Sequence, residues 1–210
     1  MYLFRIIAVT MLLLAGVSMM NPPCAIAVPV RKPAWEAEPL PKARVDWNTT
    51  RLALEMDGKP WRAVLEWFAD QTGMSYKTFS PPAGTFTFIG PKLRQYTLTE
   101  IYDIINERLQ AQEKLTLLRG ETTLTMVAAD EELPGDLIPR VALSELKDRG
   151  RTEIVEVVVT LKGLDNMKDL GREVKRLLGI FGNVVPLGNN QFLLRADVAT
   201  LRRILSPFHR

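Results

Sequence analysis

Apolar positions along this chain switch twice from alternating spacing to a spacing of three and four, and each switch marks a strand passing into a helix. Leu52, Leu54 and Met56 alternate with Ala53, Glu55 and Asp57, the period of a half-buried strand. Asp57-Gly58 predicts a turn. Pro60 predicts the opening of a helix, where its missing N–H costs nothing. Trp61, Val64, Leu65 and Phe68 then fall at i, i+3, i+4 and i+7, one apolar stripe on a helix that Gly73 ends. Met74–Phe79 resumes as strand, Ser80–Gly84 is a loop, and Phe86 and Phe88 alternate with Thr85 and Thr87 in another strand. Thr97-Leu98-Thr99-Glu100 is a capping box, followed by Ile101, Ile104, Ile105 and Leu109 at helical spacing. Leu115–Leu118 and Thr122–Val127 flank Arg119-Gly120-Glu121 and predict a closing hairpin.

The second succession begins at Glu153. Val155, Val157, Val158 and Val159 predict a β-branched strand, followed by Lys162-Gly163-Leu164. Asp165 or Asn166 caps a helix whose apolar face is Met167, Leu170, Val174, Leu177 and Leu178, and Gly179 and Gly182 end it. Val184-Val185 and Phe192-Leu193-Leu194 predict two short strands around Gly188-Asn189-Asn190. Asp197 caps a final helix carrying Val198, Leu201, Ile204 and Leu205. The chain is therefore expected to be α+β, built from two small modules. Residues 45–130 form a mixed sheet covered by two helices, and residues 153–210 form a βαββα unit. Residues 131–152, which follow Asp130 of the acidic run Asp130-Glu131-Glu132 and hold Pro134-Gly135 and a candidate short helix at Leu143–Arg149, read as the linker between them.

The beginning of the chain changes the picture of where it works. Met1–Arg5 carries one positive charge, Ile6–Met20 is nearly all apolar, and Asn21-Pro22-Pro23 precedes the small-x-small sequence Ala25-Ile26-Ala27. This is the form of a signal peptide over residues 1–27, with cleavage expected after Ala27 rather than retention as an anchor. The apolar run is shorter than the roughly 20 residues a spanning helix needs. Pro23 stands where a lipobox wants a small residue, so Cys24 is not expected to carry lipid. Residues 28–44, with Pro29, Pro33, Pro39 and Pro41, read as an extended linker in which Trp35 is an isolated aromatic.

Cleavage would remove the single cysteine, leaving an exported chain held together by its cores alone. Thiol catalysis and thiolate metal sites are then excluded. The one histidine, His209, lies next to the C-terminus, a poor place for a triad or a zinc ligand. Glu131 and Glu132, or Asp165 and Asp169, sit at loops or helix starts, where solvation or the helix dipole accounts for them. No catalytic residue, cofactor or metal is expected. The net charge of +3 is spread among interspersed signs, although Lys175-Arg176 and Arg202-Arg203 make the second module the more basic. Gly179-Ile180-Phe181-Gly182 matches the loop that clamps nucleic acid in KH domains. It leads from a helix into a strand, however, and has no basic residue between its glycines, so a helix cap with Phe181 in the core is expected. Trp67 lies off the stripe of Trp61 and Phe68 and is a candidate contact residue; Lys168, Arg172 and Arg202 on the second module's helices are others.

Several of these segments resemble a known family. Leu54-Glu55-Met56, Pro60–Leu65, Gln71-Thr72-Gly73-Met74 and Tyr96–Ile101 are similar to the short N-terminal domain shared by secretins and TonB-dependent receptors. Val157–Leu164, Val174–Leu178, Gly182–Val185, Asn190–Leu194 and Asp197 resemble the KH-like βαββα domain that follows it in secretins. The resemblance implies a non-enzymatic periplasmic part of a secretion-type or pilus-type outer-membrane system. In that family the first domain faces inner-membrane components and the second packs against copies of itself in a ring. The expected partners are therefore the chain itself and envelope proteins, with neither nucleic acid nor membrane insertion after cleavage. Unlike a secretin, the chain is expected to stop after its second module, so that either the channel is on another polypeptide or this is an accessory or relic form. The alternative implied by the same resemblance is a signalling adaptor like the N-terminal domain of TonB-dependent transducers.

Overall fold

The computed structural model describes residues 45–130, 133–160, 175–188 and 190–206. The first alternating segment forms two short strands, β1 (Arg51–Ala53) and β2 (Glu55–Pro60), because it changes partner at the buried Leu54. β2 pairs antiparallel with β4 (Thr85–Ile89), whereas β1 pairs antiparallel with β5 (Gln95–Thr97), a strand the sequence pattern did not announce. Gly58, expected in a turn, lies within β2 at a register shift between Met56 and Lys59, with φ +55. A β-bulge there consumes the Asp57-Gly58 turn signal without reversing the chain.

Helix α1 (Trp61–Thr72) starts directly after Pro60 and buries Trp61, Val64, Leu65 and Phe68, the stripe expected from spacing. Gly73 ends it in the left-handed region at φ 69, its N–H bonded to the carbonyls of Ala69 and Asp70. Strand β3 (Ser75–Thr78) follows. Helix α2 (Leu98–Glu113) opens with the capping box: Thr97 Oγ1 accepts from Glu100 N at 3.1 Å, and Thr97 N donates to Glu100 Oε2 at 2.8 Å. The hairpin β6 (Leu115–Arg119) and β7 (Thr123–Ala128) then pairs antiparallel, and β3 joins β7 in parallel. Both helices press their apolar faces into one core with Phe86, Leu117 and Leu124. Trp47 also enters that core, edge-on to Phe68 with ring centroids 5.7 Å apart.

In the second module β10 (Gln191–Asp197) is the central strand, antiparallel to β8 (Ile154–Thr160) on one side and β9 (Asn183–Gly188) on the other. Helix α3 (Val198–Leu205) is capped by Asp197, whose carboxylate accepts from Thr200 N at 2.8 Å. Its Val198, Leu201 and Leu205 close a core with Val155, Val157, Phe192, Leu194 and Leu178. Most of the helix expected over 167–178 lies outside the described residues; Leu178 is buried and Gly179 has φ +75, the backbone of a helix C-cap.

Residues 133–152, expected as a linker, pack against both modules. They contain two 3-10 helices, Gly135–Leu137 and Leu143–Asp148, and bury Leu133, Ile138, Val141 and Leu146. Val141 N bonds Glu156 O and Glu156 N bonds Pro139 O, each at 2.9 Å. The segment thereby covers the outer edge of β8, which would otherwise offer unpaired backbone groups. Leu118 and Val127 of the first module meet Leu133, Ile138 and Ile154 in a small cluster between the modules.

Candidate interaction surfaces

Of the residues expected to make contacts, Lys168 and Arg172 lie outside the described residues, as do the carboxylates at 131, 132, 165 and 169, the leader with Cys24, Trp35 and His209. Trp67 is half-buried and leans on the core, its ring 6.4 Å from that of Phe68. Arg202 is exposed, yet its guanidinium bonds the carbonyls of Leu146 and Arg149, the latter at 2.8 Å. Its donors thus fasten the Leu143–Asp148 turn to α3.

The Gly-x-x-Gly segment is explained by packing. Gly182 N closes on Gly179 O at 3.0 Å, and a Cβ at Gly182 would lie 2.4 Å from Leu178 Cβ. Phe181 packs half-buried against the cluster between the modules. It lines a shallow cavity of about 180 Å³ with Leu133, Lys175, Ile180, Asn183 and Arg195. Arg195 is committed there, bonded to Glu156 Oε1 at 2.8 Å and to Leu133 O at 3.1 Å. Its charge is therefore neutralised within the fold.

Apolar side chains that reach solvent are better placed for docking. In the first module they are Phe79, Ile89 and Leu93, the last fully exposed. Leu93 sits at φ 66 in a turn closed by Arg94 N to Pro91 O at 3.2 Å, a position that usually takes glycine or asparagine. Among the described residues of the second module they are Leu177, Ile180, Val185 and Leu187. Val185 and Leu187 are two apart on β9 and share one face of that strand, which is an outer strand of its sheet among the described residues. Pro186 lies between them and has no N–H to offer, which takes one backbone donor away from that strand.

A dense polar joint lies between the two modules. On α2, the Asp103 carboxylate accepts from Arg151 N at 3.0 Å, Thr152 N at 2.9 Å and Thr152 Oγ1 at 2.7 Å. One turn on, Asn106 donates to Thr152 O at 3.2 Å while its oxygen accepts from Leu117 N at 2.8 Å, so it ties the hairpin to the joint. Glu107 pairs with Arg151 at 2.5 Å. From the other side Glu153, 1% exposed, receives Arg119 at 2.8 Å, Arg149 at 3.2 Å and Gly150 N at 2.8 Å. The Arg119 guanidinium also lies 3.5 Å above the Trp47 ring. Asn48 Nδ2 reaches Asp148 O at 3.0 Å. Spacing alone gave no hint of this joint. Asp103, Asn106, Glu107 and Gln110 recur at helical intervals on α2 and read as its solvent face. The informative signal, a polar residue that ends up buried, exists only once the second module is in place.

Burial lowers the Arg119 pKa, and Glu153 acts in the opposite direction. Tyr102 is buried, donates its hydroxyl to Leu117 O, and has its pKa raised well above 10.0, chiefly by burial and then by the charges of Glu153 and Asp103. A phenol whose pKa is higher folded than unfolded contributes stability that is fully present below the unfolded value. That contribution is lost as pH rises through the folded value. Urea unfolding measured between about pH 8 and 11 should therefore show a loss of stability setting in above about pH 10. Tyr102→Phe should make that alkaline loss shallower.

Compared by sequence, the chain is matched by no protein-family model and by no curated protein. Compared by structure, it is similar to the Klebsiella pneumoniae type II secretion system outer membrane complex of PulD, PulS and the PulC HR domain. The identity is 15%, the TM-score 0.57, and the match covers 75% of this chain and 26% of that one. The N-terminal domain of the secretin XcpQ from Pseudomonas aeruginosa matches at 12% identity over 75% of this chain and 64% of that one, with a TM-score of 0.32. The GspC–GspD complex of enterotoxigenic Escherichia coli matches at 10% identity over 77% and 98%, with a TM-score of 0.33. At these identities the likeness is one of fold, and the Klebsiella match carries it. The chain spans about a quarter of the Klebsiella chain it matches (26%).

Proposed function

We propose that this protein is a non-enzymatic periplasmic docking unit of a secretin-type envelope assembly. The observation that carries this reading is the α+β likeness to the Klebsiella outer membrane complex over 75% of the chain. That complex contains PulS and the PulC HR domain beside PulD, which supports other envelope components as the class of partner here. The docking elements are the exposed apolar side chains of the two modules, Phe79, Ile89 and Leu93 on one and Ile180, Val185 and Leu187 on the other. Association of several copies would multiply weak individual contacts, since each further contact forms at high effective concentration. The signal-peptide pattern of residues 1–27 supports the same reading, since an exported chain would reach the compartment proposed here.

The test is cross-linking in cells followed by capture of the tagged chain, alongside sedimentation of the purified chain over a range of concentrations. The expected result is co-capture of an outer-membrane channel polypeptide, with self-association as concentration rises. A strict monomer that captures no envelope protein would contradict the proposal. The adaptor reading differs in assigning all partner binding to the first module. Deleting the second module is a poor way to separate the two, because it strips the partners from Asp103, Asn106 and Arg119. Substituting Ile180 and Leu187 by Ser leaves the joint intact: an adaptor keeps its partner, whereas an assembly unit loses self-association.

A further inference from the structure

We infer that the joint is an orientation latch, which makes the two modules one rigid body and fixes the angle between their exposed surfaces. Attachments come from three separate elements of the first module. Asn48 stands before β1, Asp103, Asn106 and Glu107 lie on α2, and Arg119 ends β6. All converge on residues 148–153. The same stretch also anchors α3: Val198 N bonds Glu153 O at 2.9 Å and Ala199 N bonds Arg151 O at 3.0 Å. Movement of either module about this stretch would therefore be felt at both.

Two kinds of interaction divide the work. The cluster of Leu118, Val127, Leu133, Ile138 and Ile154 resists separation, since opening would expose apolar surface to water. It is not directional and would tolerate a slip or rotation. The polar groups would not. Glu153 and Asp103 find their donors in one geometry, and a small slip would leave a buried carboxylate facing carbonyls or apolar atoms without admitting water. Buried ion pairs add little net stability against an apolar substitute, and fixing register is their best-attested use. Gly150 marks how closely the surfaces meet: a Cβ there would lie 2.7 Å from Asp103 Oδ1. Domains joined by ordinary linkers move relative to one another by default. Here a partner seated on the first module would set the direction in which the second presents Ile180, Val185 and Leu187.

The latch is independent of what the partner is, and pulsed electron spin resonance tests it directly. With Cys24→Ser removing the single native thiol, spin labels go on Asp70→Cys in α1 and Arg203→Cys in α3, both exposed. The full chain should give one narrow distance distribution. Glu153→Gln and Gly150→Ala, made separately in the labelled chain, should each broaden or split it while circular dichroism keeps the wild-type helix and strand signal. Gly150→Ala leaves both charged groups in place, so it reads the register even where Glu153→Gln weakens the fold. A broad distribution in the parent chain, or a narrow one unchanged in both variants, would overturn the latch.

Discussion

Glu153→Ala should destabilise the folded chain by about 3–5 kcal/mol, the usual cost of removing one partner from a buried charge pair. The reason lies in what remains behind. Arg119 and Arg149, whose side chains are 16% and 21% exposed, would face each other across an empty site with no anion between them. The Gly150 N–H would also lose its acceptor. Replacing both ends with apolar residues, Glu153→Leu with Arg119→Met, should recover much of the loss, because no buried charge is then stranded except the more accessible Arg149. Urea midpoints for the two single variants and the double variant give the coupling energy, expected at about 0.5–3 kcal/mol for residues in contact. A double variant as unstable as the sum of its parts would mean that Glu153 and Arg119 do not act as a pair.

Phe68→Ala is the second large effect, at about 3–5 kcal/mol for a buried aromatic truncated to a methyl group. Phe68 is wholly buried, meeting Trp47 edge-on at 5.7 Å and Tyr102 at 6.5 Å. Trp47 in turn carries Arg119 on its face, so the core of the first module supports the joint through one stacked ring. A cavity at Phe68 should therefore loosen Trp47 and weaken the Arg119–Glu153 pair as well. The comparison residue is Phe79, 78% exposed, where the same truncation should stay within about 0.5 kcal/mol. Thermal unfolding of both variants makes the check: a large shift for Phe68 and a small one for Phe79.

The features of the fold that were legible in the sequence are those encoded within one turn or one strand. The stripe from Trp61 to Phe68, the Thr97–Glu100 capping box, Gly73 as a left-handed stop and Asp197 as a helix cap all announce themselves locally and stand where the spacing put them. Pairing was legible only where a short turn joins the two strands, as in β6–β7 and β9–β10; longer-range partners were not. The alternation from Leu52 to Met56 looks like one strand, yet Leu54 is where the chain passes from β5 to β4 as neighbour. Gly58 carries a turn signal that a bulge uses equally well. Residues 133–152 look like a linker because Pro134-Gly135 and the charges around them suit one. Their buried Leu133, Ile138, Val141 and Leu146 are spaced too irregularly to register as a periodic face.

The candidate surfaces were legible in smaller part, for a physical reason. A docking residue is an exposed apolar one, and sequence spacing assigns apolar residues to the interior. Val185 reads as part of a strand and Leu177 as part of a buried helix face, and both are accessible. Conversely, Arg202 reads as a free surface cation and is bonded to the carbonyls of Leu146 and Arg149.

Photo-cross-linking in living cells tests the docking account most directly, with a photoreactive amino acid placed in turn at Ile180 and Leu187 in the second module and at Phe79 and Leu93 in the first. All four positions are solvent-exposed in the folded chain, so the label reports neighbours without disturbing either core. The account predicts covalent adducts from the second module to another copy of the chain and from at least one position to an envelope polypeptide. Irradiation that yields only the uncross-linked chain from all four positions would contradict it.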